Sequence, residues 1–127
     1  MLDHTGFVVT DLVKARKFYE AVAKPLGLSI QTPHKDFFLL GLGAGKVPYI
    51  WIGTLKPSYW VEGSRPGINQ MHIAFVAKDQ ATVEEFHRVA LAAGGRDNGK
   101  PGPREAGYYA AFVLDPDGNN IEAVARS

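Results

Sequence analysis

The chain has 127 residues, 46% hydrophobic and 21% charged, with a net charge of +1 and no cysteine. That length buries a core without a metal or crosslink, and the composition is that of an ordinary folded protein rather than a disordered or fibrous one. Scattered Lys and Arg exclude the basic stripe that a nucleic-acid partner needs, and the missing cysteines exclude disulfides, thiolate ligands and cysteine nucleophiles, leaving imidazole and carboxylate chemistry.

The opening Met1-Leu2-Asp3-His4-Thr5 has neither a basic n-region nor an apolar h-region, and no apolar run approaches the roughly 20 residues of a membrane span. A cytoplasmic protein with no membrane partner is expected. Residues 3–10 alternate and are rich in valine and threonine, which predicts a strand. Thr10 or Asp11 then caps a helix carrying Leu12, Ala15, Phe18, Tyr19 and Val22, and Pro25 and Gly27 are expected to stop it. Three short strands are predicted over 28–32, 36–42 and 47–53, with Gly43-Ala44-Gly45 as the turn between the last two. A polar, proline-bearing stretch, 54–67, joins the halves; its Tyr59 and Trp60 suit a lid over substrate, or a cover for a sheet edge or dimer seam. The second half reads as a strand from Asn69 to Ala77 and a helix over 80–93 with Val83, Phe86, Val89 and Ala90 on one stripe. Gly94 and Gly95 end that helix, and a glycine- and proline-rich loop follows, in which a strand near Arg96 is the most weakly marked element. Strands over 108–114 and 119–125 finish the chain, joined by a tight turn at Asp115-Pro116-Asp117-Gly118.

The two halves repeat. His4-Thr5-Gly6-Phe7-Val8-Val9-Thr10-Asp11 lies over His72-Ile73-Ala74-Phe75-Val76-Ala77-Lys78-Asp79, and at the same offset Phe18 falls on Phe86 and Gly27 on Gly95. The prediction is an α+β fold, one domain over 1–127. Two βαβββ modules, 1–53 and 68–127, form an open eight-stranded mixed barrel or cup with the helices outside. Modules of one chain or of two chains pack to complete it.

Strand alternation puts His4 with Gly6 and Val8, His72 with Ala74 and Val76, and Glu122 with Asn120 and Val124. A lone histidine in a strand is more often a hydrogen-bonded structural residue; equivalent placement in two modules is what argues for ligands. Glu122, among Ile121, Ala123 and Val124, is expected to be buried and therefore to need a partner. His4, His72 and Glu122 are the candidate metal ligands, with Glu122 also the candidate catalytic carboxylate. Three such ligands leave positions on a divalent ion for water or substrate. Aligning the turn glycines Gly45 and Gly118 puts Tyr49 opposite Glu122, so no fourth carboxylate is expected. Tyr49 and Trp51 share a face, line the cup and are candidate substrate contacts, with packing as the competing reading. Trp60 is a further candidate contact, and Arg104, after the loop Gly99-Lys100-Pro101-Gly102-Pro103, is placed to bind a carboxylate or an enolate oxygen. His87 matches Tyr19 in the repeat and reads as packing. No serine elbow, phosphate loop or dinucleotide fingerprint is present, so neither nicotinamide nor ATP is expected.

Three stretches, Asp3 to Leu12 with Phe18-Tyr19, Met71-His72-Ile73-Ala74-Phe75, and Asp115 to Glu122, together resemble the vicinal oxygen chelate superfamily. That superfamily includes glyoxalase I, fosfomycin resistance thiol transferases, extradiol dioxygenases and bleomycin resistance proteins. The resemblance covers almost the whole chain. It is nearest to small bacterial glyoxalase-like proteins with a Tyr-Tyr-Ala-Ala-Phe strand, here Tyr108 to Phe112. It implies paired βαβββ modules, usually in a homodimer, and a divalent ion (Fe, Mn, Ni, Co or Zn) at His4, His72 and Glu122. In some branches it also implies a thiol cosubstrate such as glutathione. Two histidines and one glutamate match the transferases and dioxygenases. The phosphonate-binding cluster is absent beyond Arg104, and His34 and His87 are not placed as the dioxygenase acid and base. The expected function is therefore a glyoxalase-like metal-dependent enzyme chelating vicinal oxygens of a small molecule by lyase, isomerase, thiol transferase or dioxygenase chemistry. The alternative is a metal-free sequestering protein of the bleomycin resistance type.

Overall fold

Each half of the chain opens with a strand and enters a helix through an aspartate cap. The computed structural model describes residues 1–67 and 71–127. Strand β1 (His4–Val8) leads to α1 (Leu12–Leu26), where the Asp11 side chain accepts the N–H of Lys14. Strands β2 (Ser29–Gln31), β3 (Phe37–Gly41) and β4 (Tyr49–Gly53) complete module one. In module two, β5 (His72–Val76) leads to α2 (Gln80–Ala92), capped by Asp79 accepting from Thr82, and β6 (Arg96–Glu105), β7 (Tyr108–Leu114) and β8 (Asn120–Arg126) follow. The Asn69 start predicted for β5 lies outside the described residues.

The strands form two four-stranded mixed sheets of matching order, β1-β4-β3-β2 and β5-β8-β7-β6. In each, the first strand runs parallel to the last and the other pairs are antiparallel. The fold is α+β with two βαβββ modules, as expected, and the cup is built from two separate sheets rather than a closed barrel. One face of each sheet packs under its helix: Phe38, Leu40 and Ile52 with Phe18 and Val22 of α1, and Ala111, Val113 and Ile121 with Val83 and Phe86 of α2. All belong to one apolar cluster. The opposite faces, carrying His4 and His72, are left for the site.

Two polar contacts tie the modules together at the β7–β8 turn. The buried Tyr19 hydroxyl donates to Asp115 at 2.5 Å, and Asp115 also accepts the backbone N–H groups of Asp117 and Asn119 and the Asn119 amide. Burial first, then the Asp115 charge and hydrogen bond, push the Tyr19 phenol well above its ordinary value. Thr10 donates from its N–H and its hydroxyl to Asp117. The turn motif is thus a clasp on module one, and it sets where β8 begins.

Two expectations are corrected. Pro25 does not stop α1 but sits inside its last turn; the helix ends at Gly27, whose φ of 72° supplies the left-handed cap. The glycine- and proline-rich segment after α2 is a ten-residue edge strand, β6, rather than a loop. Its register against β7 slips at three places, which lets Pro101 and Pro103 sit in an edge strand that pairs on one side only. Among the described residues no helix is long and apolar enough to cross a membrane.

Candidate functional site

The free face of module two carries a buried carboxylate. Register pairs His72 with Asn120, Ala74 with Glu122 and Phe112 with Glu122, so His72, Glu122 and Phe112 share that face. Glu122 is only 2% exposed. Its Oε1 accepts the Tyr108 hydroxyl at 2.5 Å, and its Oε2 lies 3.1 Å from His72 Nε2. The bond to Glu122, followed by desolvation, raises the Tyr108 phenol above its ordinary value. The Arg126 guanidinium stacks over the Tyr108 ring at 4.5 Å.

His72 Nδ1 lies 3.0 Å from the Asn120 carbonyl oxygen. A carbonyl only accepts, so Nδ1 carries the hydrogen and donates, and the Nε2 lone pair is turned toward the carboxylate. At 3.1 Å the two atoms are within hydrogen-bond range and close enough to hold one cation in common. An imidazole anchored through its other nitrogen by a backbone carbonyl, facing a carboxylate, is a donor set that fits a divalent metal.

Module one offers the matching histidine on an aromatic face. His4 Nδ1 is 2.7 Å from Asp3 Oδ1, and the ring stacks on Tyr49 at 4.9 Å with planes 6° apart. As in His72, Nδ1 is engaged; among the described residues His4 Nε2 has no hydrogen bond. Trp51 stacks with Phe37 at 5.7 Å. Glycines make room for its indole: a Cβ at Gly53 would lie 2.7 Å from the ring, and one at Gly6 3.3 Å from Trp51 Cβ. A cleft of about 400 Å³ lies over this face, bordered by His4, Leu39, Tyr49, Trp51, Lys56 and Tyr59.

The register moves one sequence-based assignment. His4 pairs with Tyr49 and Gly6 with Trp51, whereas His72 pairs with Asn120 and Ala74 with Glu122. The counterpart of Glu122 is therefore Trp51, and Tyr49 corresponds to Asn120. No carboxylate occupies that place in module one under either alignment.

Of the predicted residues, the structure brings His72 and Glu122 together and places His4 on the other sheet. Among the described residues no group of three His, Asp or Glu side chains is assembled that suits a metal. Trp60 borders a smaller recess with Gly6, Tyr59 and Met71, which shares Gly6 and Tyr59 with the cleft lined by Trp51. Arg104 lies over the Phe112 ring at 5.3 Å, and Phe112 stacks on His72 at 6.2 Å. His87 packs at the rim of α2 with Nε2 2.9 Å from Asp97, and His34 stacks on Phe37, far from acid–base roles at Glu122. Tyr108 and Phe112 were not singled out from sequence as site residues. Counting back from the β7–β8 turn pairs Phe112 with Glu122 and Tyr108 with Arg126, which is the signal that finds them.

A family model described as Glyoxalase/Bleomycin resistance protein/Dioxygenase superfamily matches residues 53–123. The uncharacterized protein YqjT of Bacillus subtilis (strain 168) is 30% identical over 99% of this chain and 99% of its own length. Lactoylglutathione lyase GLX1 of Arabidopsis thaliana is 30% identical over 97% of this chain, which spans 43% of that protein. The crystal structure of a glyoxalase/bleomycin resistance protein from Albidiferax ferrireducens T118 superposes with a TM-score of 0.76 at 28% identity, covering 100% of this chain and 99% of that one. A glyoxalase-related enzyme from Fulvimarina pelagi gives a TM-score of 0.77 at 18% identity, over 98% of this chain and 86% of that one, a likeness of fold alone.

Proposed function

The chain belongs to the glyoxalase/bleomycin resistance protein/dioxygenase superfamily, and from that membership we propose that it is a glyoxalase-like, divalent-metal-dependent enzyme acting on a small molecule, with His4, His72 and Glu122 as ligands. The supporting observation is the His72–Glu122 pair: a buried carboxylate faces an imidazole nitrogen whose partner nitrogen is already committed to a carbonyl. The family often uses divalent metals, and Fe, Mn, Ni, Co and Zn all accept such a nitrogen and oxygen set.

A divalent ion held by His4, His72 and Glu122 would supply Lewis-acid polarisation of substrate oxygens and stabilise charge developing on them. The protein's own part is positioning. Asn120 fixes the tautomer and tilt of His72; Tyr108, steadied by Arg126, holds one Glu122 oxygen and leaves the other toward His72. With Trp51 in place of an acid, Glu122 is the carboxylate left to move a proton, so its role is catalytic as well as ligating. Tyr49 and Trp51 wall the cleft and keep water from the reacting oxygens. The reaction is of the lyase or isomerase, thiol transfer or dioxygenase type, with a thiol such as glutathione as cosubstrate in the first two.

His4 and His72 stand half exposed on different sheets, with side-chain exposures of 55% and 44%. In this reading the site is completed when a module-one face meets a module-two face, in a homodimer with modules paired across chains. A rival, metal-free sequestering protein of bleomycin resistance type, draws on the aromatic face of module one. Metal analysis after reconstitution with each of the five ions separates them. One ion per chain in the wild type, lost in folded His72→Ala, supports the enzyme; metal content unchanged by that substitution sinks the triad, and a folded wild type that takes up no metal favours sequestration.

A further inference from the structure

We infer that Arg104 sets the substrate class of this site, receiving the oxyanion of a small acid whose planar apolar body lies against Trp51 and Tyr49. The inference rests on the reading above in one respect: the two free faces must meet over one ligand.

Arg104 is held as a binding residue is held. The register slips of β6, between Gly99 and Gly102 and again between Pro103 and Glu105, turn its side chain onto Phe112. Phe112 pairs with Glu122 and stacks on His72, so guanidinium, ring, imidazole and carboxylate lie in sequence on one face. Nη1 donates to the Gly102 carbonyl at 3.1 Å and Nη2 to the Lys100 carbonyl at 2.6 Å. Carbonyls orient a guanidinium without neutralising it. Among the described residues Arg104 forms no ion pair, unlike Arg16 and Arg88, which pair with Glu20 and Glu85. Glu122 does not neutralise it either, since its oxygens are taken by Tyr108 and His72.

Glycines keep space around the fork: a Cβ at Gly99 would lie 3.3 Å from Nη2, and one at Gly102 3.4 Å from Nη1. A guanidinium already ordered over an aromatic ring loses little freedom on meeting a carboxylate or phosphate and binds it through two parallel hydrogen bonds. On the opposite wall the lysine is Lys56, exposed at the border of the cleft and not held over a ring as Arg104 is. That wall presents Trp51, Tyr49, Phe37 and Leu39, surfaces that take flat apolar groups. A molecule satisfying both walls is an aromatic or unsaturated carboxylic acid, or a phosphate ester of the same body.

The test uses the full chain after chelation, so that no metal contributes. Binding of benzoate, phenyl phosphate and benzamide is followed by NMR at the Trp51 indole N–H, with metal content measured in parallel on reconstituted protein. At least tenfold tighter binding of one oxyanion than of benzamide is expected. That ratio should fall to near one in Arg104→Gln and be partly kept in Arg104→Lys, with metal content unchanged in both; whichever oxyanion binds names the group. Equal binding of the three by the wild type, no oxyanion binding, or a preference that survives Arg104→Gln overturns the inference. Oxyanion preference in a protein that takes up no metal upholds Arg104 while sinking the metal reading.

Discussion

Module one and module two share strand order and an aspartate helix cap, yet at the register position where module two carries Glu122, module one carries Trp51. Beneath the sheets the two are alike: Phe18 and Phe86 are fully buried in one core. On the free faces they differ. Module two gives a buried carboxylate fixed by Tyr108 and a histidine fixed by Asn120; module one gives a stacked aromatic wall with one histidine at its edge. The repeat has kept what folds each module and kept one histidine in each. The position between the strands has been divided into a charged and an apolar version. That division is what a site needs if it must hold an ion on one side and the body of a substrate on the other.

The same substitution in both modules breaks this comparison most sharply. If Glu122 is a ligand as proposed, Glu122→Gln should lower metal affinity by about 100-fold or more, whereas Trp51→Gln should leave metal content intact and weaken aromatic ligands. Competition with a fluorescent chelator measures the first and ligand titration the second; equal metal loss in both variants would mean the faces are not specialised as described. Tyr19→Phe probes what joins the modules. Removing the buried hydroxyl leaves an Asp115 oxygen short of a donor and should cost about 1–3 kcal/mol in chemical denaturation. Tyr108→Phe should reduce metal affinity by roughly tenfold with little change in fold, since it removes a support of Glu122 rather than a ligand.

The smallest effect is in pH. Tyr19 has its folded value raised above the unfolded value of about 10, so the folded state holds the proton more tightly. The stability this provides is complete below about pH 10 and declines as pH rises toward the folded value. The alkaline loss of stability in the wild type should be shallower in Tyr19→Phe.

Much of this was legible in the chain. The His4 and His72 octets marked β1 and β5, and the 3.6-residue stripes, with Thr10 or Asp11 as a cap before the first, marked both helices, because amphipathic periodicity and capping are local properties. Residues 108–114 were bounded correctly as a strand by the turn motif that follows. What was not legible depended on pairing. Gly99, Pro101, Gly102 and Pro103 read as loop, and become strand only because β7 supplies a partner that tolerates slips. Aligning the turn glycines Gly45 and Gly118 puts Tyr49 opposite Glu122, whereas the register puts Trp51 there, because the connection 42–48 before β4 is two residues longer than 115–119 before β8. Glu122 was read as buried and partnered, and Tyr108 and His72 are those partners. Whether His4 joins His72 and Glu122, as proposed, is a matter between sheets, which strand alternation does not reach.

Metal affinity of His4→Ala, set against wild type in protein of unchanged fold, tests the division of the site most directly. Of the three proposed ligands only His4 lies on module one, so a loss of at least tenfold is expected from removing it. Full metal content and affinity in His4→Ala would place the ion within module two and contradict a site shared between the two faces.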